Sequence, residues 1–183
     1  VLAHNTELAD AFGNLLHRAT ALASSKCDGK VPAPVNVQVG KPFDLASLRS
    51  DSVKAMASLD VGAYAKRVMA CCRDANKWVA DLEPWKMKDD AAEKRQEVLR
   101  LLLEACYALS LFLAPLAPRA ATFALRRVGG EPMATSLLKV DFTNLKTGAP
   151  VTPGAPLFAQ IEVDGGASAA LAKEKKKKVV SKK

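Results

Sequence analysis

Val61-Gly62-Ala63-Tyr64-Ala65-Lys66-Arg67-Val68-Met69-Ala70-Cys71-Cys72-Arg73-Asp74-Ala75-Asn76-Lys77-Trp78-Val79-Ala80-Asp81-Leu82 is the stretch that decides the fold. Its apolar residues Val61, Tyr64, Ala65, Val68, Met69, Cys72, Ala75 and Val79 recur at steps of three or four. That spacing paints one stripe down a long helix and leaves the lysines, arginines and aspartates on the other side. Pro84 ends the pattern, because proline cannot continue a helical ladder. Trp78 falls inside the helix and reads as core or half-buried.

The same period recurs on both sides. Leu8, Ala11, Phe12, Leu15, Leu16, Ala19 and Leu22 predict an amphipathic helix over 2–25. Leu45, Leu48, Val53, Met56 and Leu59 predict a weaker one over 44–58. Val98, Leu101, Leu102, Ala105, Leu109 and Phe112 predict another over 89–113, with Asp89 or Asp90 as its N-cap. Pro115 and Pro118 interrupt the pattern, and a last helix runs from 118 to 128, closed by Gly129-Gly130. Residues 27–43, with Pro32, Pro34, Gly40 and Pro42, read as a loop. The expectation is an all-α fold: an antiparallel helical bundle of four to five helices over residues 1–130.

Beyond the bundle the texture changes. Five prolines and glycines crowd the interval from Gly148 to Pro156, followed by the apolar Leu157-Phe158-Ala159-Gln160-Ile161. Residues 131–164 therefore read as an extended C-terminal strip lying along the bundle, with room for a short β-like pairing. Residues 165–183 read as a basic, flexible tail. Of the net charge of +8, the segment 173–183 alone carries +6, from seven Lys against one Glu. The pI near 9.4 thus describes the tail rather than the folded body.

Composition narrows the function classes. Hydrophobic residues at 49% and charged residues at 25% are globular rather than disordered values. No apolar run reaches membrane-spanning length and no signal peptide is visible, so no membrane partner is expected and the localisation reads as cytoplasmic. The four cysteines, at 27, 71, 72 and 106, have neither zinc spacing nor histidine partners; the reading is reduced thiols and no metal. Phosphate-binding, dinucleotide-binding and nucleophile-elbow motifs are absent, and His4 and His17 lie on one helix, so no catalytic residues and no cofactor are expected in this chain. The missing initiating Met and the abrupt helical start suggest a piece of a longer protein.

Three residues invite a nucleic-acid reading. Trp85 in Glu83-Pro84-Trp85-Lys86-Met87-Lys88 follows a proline among charged neighbours. It is either a lid folded back on the core or a stacking platform stiffened by Pro84. Asn14 and Arg18, one helical turn apart, sit side by side on the polar face. They are either an ordinary solvated face or a pair offering the amide and guanidinium chemistry used on base edges. His17, Lys86 and Lys88 are candidates for RNA backbone contacts. The lysine tail adds phosphate attraction without sequence information, or serves as a solubilising linker or a nuclear-localisation signal.

Taken in order, several segments resemble the C-terminal region of the methionyl-tRNA synthetase family. They are Glu7-Leu8-Ala9-Asp10-Ala11-Phe12-Gly13-Asn14-Leu15-Leu16-His17-Arg18, Asp74-Ala75-Asn76-Lys77-Trp78-Val79 with Glu83-Pro84-Trp85-Lys86, Leu111-Phe112-Leu113-Ala114-Pro115-Leu116-Ala117-Pro118, and Pro156-Leu157-Phe158-Ala159-Gln160-Ile161-Glu162. The resemblance covers about residues 2–163 and implies an anticodon-binding domain that reads the CAU anticodon of methionine tRNA. By position it implies that Asn14 and Arg18 bond anticodon bases and that Trp85 stacks on the first, a cytosine. It implies a parent enzyme that attaches methionine to tRNA with ATP, and a strip 131–164 that packs on the bundle or on the catalytic domain of the same synthetase. The family's ATP-binding signatures are absent; Lys86-Met87-Lys88 bears only a superficial likeness to one. The rival expectations are a helical protein-interaction module, docking a partner on strip 150–162, and a general RNA-binding module.

Overall fold

The computed structural model describes residues 4–159 and residue 161; the expected tail and the last residues of the strip lie outside the described residues. The fold is all-α, as the periodicity predicts. Five α-helices run in chain order: α1 (Asn14–Lys26), α2 (Leu45–Ala57), α3 (Val61–Leu82), α4 (Ala92–Leu113) and α5 (Pro118–Arg127). A wider-wound π-helical stretch, His4–Gly13, leads into α1 without a break, since Gly13 keeps helical angles of φ −60 and ψ −44. The sequence predicts one ordinary helix there; the extra width is invisible to an apolar pattern that both windings accommodate.

The centre of the molecule is α4. From Val98 to Leu113 every residue is buried, including Arg100, Glu104 and Ser110. The predicted single stripe understates this helix, which is enclosed on all sides as a core helix must be. It packs against α1, α3 and α5. Neither Asp89 nor Asp90 caps it: Asp89–Ala91 forms a 3₁₀ turn, and Asp89 pairs with Arg95 instead. By contrast Asp44 and Asp60 do cap α2 and α3, each side chain accepting the backbone N–H three residues on, from Ser47 and Ala63.

The second helix departs from its predicted face. Leu45 and Leu48 are buried, but Val53, Met56 and Leu59 are exposed, as is Val61 at the start of α3. The buried residues of α2 are Leu45, Leu48 and Ser52, and of its second half Ala55 also packs on the core. The chain then reverses at Leu59, which takes a left-handed φ of +57.

Two buried charges fasten the irregular segments to α4. The Arg100 guanidinium donates to the carbonyls of Pro32 and Leu145 and to Thr147 Oγ1, and faces Glu104. The Glu104 carboxylate, 0% exposed, accepts the backbone N–H groups of Asn144 and Leu145 at 2.9 and 2.7 Å. Burying such a pair is tolerable because nearly all of its donors and acceptors are spoken for. The loops it holds also bond each other: Val31 N–H to the Ala149 carbonyl, Gly148 N–H to the Val31 carbonyl, and Val151 N–H to the Gly29 carbonyl. This is the expected β-like pairing, a single antiparallel bridge at Lys30 and Pro150.

Glycines close α5 as predicted. Gly130 N–H reaches back to the Leu125 carbonyl and Gly129 N–H to the Arg126 carbonyl, with Gly129 at φ +70. A Cβ at Gly130 would lie 2.3 Å from the Tyr107 ring, so a side chain is excluded there. Further along, the strip returns to the N-terminal stretch, where Asn5 exchanges two hydrogen bonds with the backbone of Ile161 and His4 Nε2 donates to the Ala159 carbonyl.

Replacing Glu104 with Ala leaves Arg100 buried and uncompensated. The expected cost is about 3–5 kcal/mol in urea unfolding of the full chain. A loss under about 1 kcal/mol would show that the loops are held by something else.

Candidate nucleic-acid interface

Trp85 is placed by the way α3 ends. Glu83 caps the helix in the left-handed conformation at φ 46, and Lys86 N–H then bonds the Glu83 carbonyl at 2.9 Å. The result is a tight turn with Pro84 at its second position, where the fixed proline φ fits. Pro84 is buried, and so anchors the turn, while Trp85 points out. Arg95 on α4 reinforces the exit from the turn, donating to the carbonyls of Met87 and Lys88 at 2.7 and 3.2 Å.

The ring is not a lid. Trp85 is 40% exposed and stands outside the apolar core. One face is backed by Arg18, whose guanidinium carbon lies 4.9 Å from the ring centroid. This is cation–π geometry, and the indole stays part-exposed to solvent. Burial draws the Arg18 guanidinium below its ordinary pKa, yet arginine stays charged at any relevant pH. The charge has no carboxylate partner among the described residues.

Arg18 and Trp85 meet because of how the helices run. Ala11 faces Asn76, Glu7 faces Arg73, and Arg18 faces Trp85. Residue numbers thus rise together along the first helix and α3, so these two lie parallel within the bundle. The contact between positions 18 and 85 is the final step of that register.

Between the two helices lies a groove of about 260 Å³ bounded by Thr6, Asp10, Asn14, Arg18, Arg73 and Asn76. It brings the predicted pair Asn14 and Arg18 onto one wall. Asn14 is exposed and its amide is uncommitted among the described residues. Sequence reasoning passed over Asn76 and Arg73 on the opposite wall. Asn76 donates to the carbonyls of Ala11 and Cys72, and its Oδ1 is buried with no partner among the described residues. The available signal was an asparagine in mid-helix, a position the residue disfavours unless its amide is used. Arg73 bonds Glu7 across the rim.

The candidates for backbone contact are less uniform. Lys86 is paired with Glu83 at 2.7 Å, Lys88 is exposed, and His17 faces the opposite flank of α1 from Trp85. Trp78, read as core or half-buried, is half-buried and donates its indole N–H to the Gly40 carbonyl. Leu157 and Phe158 pack on the core and Val151 is buried within it, so this part of the strip is spent on the chain's own bundle. That weighs against the strip as a free docking surface.

No family model matches the sequence. Curated relatives do. The chain is 30% identical to the methionine–tRNA ligase of Thermotoga maritima over 86% of its own length and 26% of that protein's. It is 28% identical to the enzyme of Rickettsia felis over 87% and 33%. The chain therefore spans about a quarter to a third of the relatives it matches. Its fold is shared with the methionyl-tRNA synthetase of Mycobacterium tuberculosis bound by methionyl-adenylate: TM-score 0.68 at 24% identity, covering 86% of this chain and 32% of that one. The chain is thus related to one segment of methionyl-tRNA synthetases.

Burial governs the thiols of this chain. Burial pushes the Cys71 thiol up to about 11 and raises Cys72 and Cys106 well above the ordinary range. Burial also raises half-buried Cys27, partly offset by the Arg95 charge. All four cysteines are free thiols, and no cluster of three metal-ligating side chains exists among the described residues. A raised pKa means less thiolate at pH 8 than in free cysteine, hence slower attack on an electrophile. Native labelling with a disulfide reagent should thus modify only Cys27, at a rate that climbs as pH rises from 7 to 9. Rapid labelling of two or more thiols without denaturant would contradict this packing.

Proposed function

We propose that this chain is the anticodon-reading part of a methionyl-tRNA synthetase, with the bundle over residues 1–130 as the reading body. Its partners in this reading are methionine tRNA and the catalytic domain of the same enzyme, which supplies the ATP-dependent ligation. The observation that carries the reading is the Arg18–Trp85 cation–π contact: a part-exposed aromatic ring, backed by a guanidinium, beside an uncommitted amide at Asn14.

The chemistry suits an unstacked pyrimidine. Single-stranded bases are recognised by splaying onto aromatic or guanidinium planes and by bonding on their edges. A cytosine laid on the open face of Trp85 would continue a stack begun by Arg18, at little ordering cost because Pro84 fixes the turn. Asn14 offers both donor and acceptor, including the acceptor that an exocyclic amino group needs. Cytosine presents that amino group at the position where uracil has a carbonyl, so an acceptor discriminates between them. In this reading Lys86, Lys88 and the lysine tail contribute phosphate attraction without base preference.

Removing the ring tests the assignment. Trp85→Ala should weaken binding of a CAU anticodon hairpin by about 1–3 kcal/mol, the value of one stacked base. Trp85→Phe should recover part of that loss. Unchanged affinity in Trp85→Ala, measured by fluorescence anisotropy of labelled hairpin, would remove Trp85 from the interface.

A further inference from the structure

The connection that carries Trp85 has few fastenings of its own. Between α3 and α4 its backbone hydrogen bonds among the described residues are local: Lys86 N–H to the Glu83 carbonyl at 2.9 Å and Ala91 N–H to the Lys88 carbonyl at 3.1 Å. At its entry Glu83 holds a left-handed φ of 46, a conformation that a residue other than glycine keeps only where its surroundings impose it. Besides the buried Pro84, one side chain ties the far end of the connection to the bundle. Arg95, in the first turn of α4, donates to the consecutive carbonyls of Met87 and Lys88 and lies 3.5 Å from the Asp89 carboxylate.

We propose that Arg95 is a positioning residue for base reading: its fork holds the Trp85 platform in the shape that accepts a stacked base before any RNA arrives. The inference rests on the anticodon-reading assignment.

Three features carry it. The Arg95 side chain is only 15% exposed, so its charge depends on the acceptors it has found. Asp89 is fully exposed and adds little, which leaves the two carbonyls as its main partners. Bonds from a guanidinium are stronger than neutral ones, and a fork that takes two successive carbonyls fixes the direction of the backbone as well as its place. Trp85 lies two residues before the first of them. With that end fixed and Lys86 closed on Glu83, the left-handed residue cannot relax without breaking the Arg95 bonds and swinging the ring. Finally, Arg95 lines a cavity of about 250 Å³ together with Lys26 and Cys27, where α1 ends. The helix that bears Asn14 and Arg18 therefore closes on the same side chain that fixes the turn.

The consequence for binding is selective. Without the fork the connection samples other shapes, and the ring must be ordered each time a base stacks on it. Affinity then falls with the fraction of molecules whose platform is already assembled. Phosphate attraction does not depend on that shape and is left as it was.

The test is a double-mutant cycle in the full chain. Arg95→Met keeps an unbranched apolar stem and removes the donors; Arg95→Lys keeps the charge and loses the fork. Titrated with a CAU anticodon hairpin, Arg95→Met should bind about three- to tenfold more weakly than wild type, with Arg95→Lys between them. Combined with Trp85→Ala, Arg95→Met should cost nothing beyond Trp85→Ala alone. A hairpin abasic at the first anticodon position should bind wild type and Arg95→Met equally. In RNA-free protein carrying Trp78→Phe, the anisotropy of Trp85 emission should fall when Arg95 becomes Met. If Arg95→Met fails to fold, Arg95→Lys is put through the same hairpins and the same anisotropy reading. Unchanged affinity, an additive loss in the double variant, or equal losses on intact and abasic hairpins would overturn the positioning role, while a Trp85→Ala effect still upholds the first assignment. Indifference of Trp85→Ala as well would overturn both.

Discussion

One constraint governs this molecule: α4 is buried on every side from Val98 onward and must be wrapped. Sixteen consecutive residues from Val98 to Leu113 are buried, and α1, α3 and α5 lie against them. Each buried leucine contributes about 1.5–3 kcal/mol relative to exposure, and α4 holds seven from Leu99 to Leu113. The enclosed charges Arg100 and Glu104 then fix where the loops pass, because their hydrogen bonds go to the backbones of 32 and 144–145 and to the side chains of Asn144 and Thr147. The helix supplies the burial and the ion pair supplies the register.

The proposed recognition surface follows from that arrangement at one remove. Wrapping α4 sets α1 and α3 side by side and parallel, which brings Arg18 to the turn where α3 ends. The turn is rigid for local reasons: a left-handed Glu83, a buried Pro84 and the Arg95 bonds to the two carbonyls beyond. An aromatic ring is thus held in solvent without a core to hold it. Exposing an indole forgoes apolar burial, and the retained opening is what a stacking ligand can use.

Much of this was legible in the sequence, and the exceptions have physical reasons. Helix positions followed from period, and the Gly129-Gly130 closure followed from chirality. Trp85 stood out because it had charged neighbours and a proline before it. The exposed half of α2 misled the reading, since Val53, Met56 and Leu59 keep the helical period while pointing at solvent. Period marks a face; it does not say whether anything covers it. The α4 stripe failed in the opposite direction, because Arg100 and Glu104 look like a polar face until their loop partners are known. Asn76 was passed over for a related reason: its unsatisfied oxygen exists only once α3 meets the first helix. The Arg18–Trp85 contact likewise spans two helices and is written in no local motif.

The central claim is that the open face of Trp85 reads one base. Its most direct test is the intrinsic fluorescence of Trp85, isolated by Trp78→Phe, titrated with anticodon hairpins that differ only in the first anticodon base. The account predicts saturable quenching by the cytosine hairpin and at least about tenfold weaker response to the uracil hairpin, the discrimination expected of one good edge contact. Equal quenching curves for all four bases would contradict it.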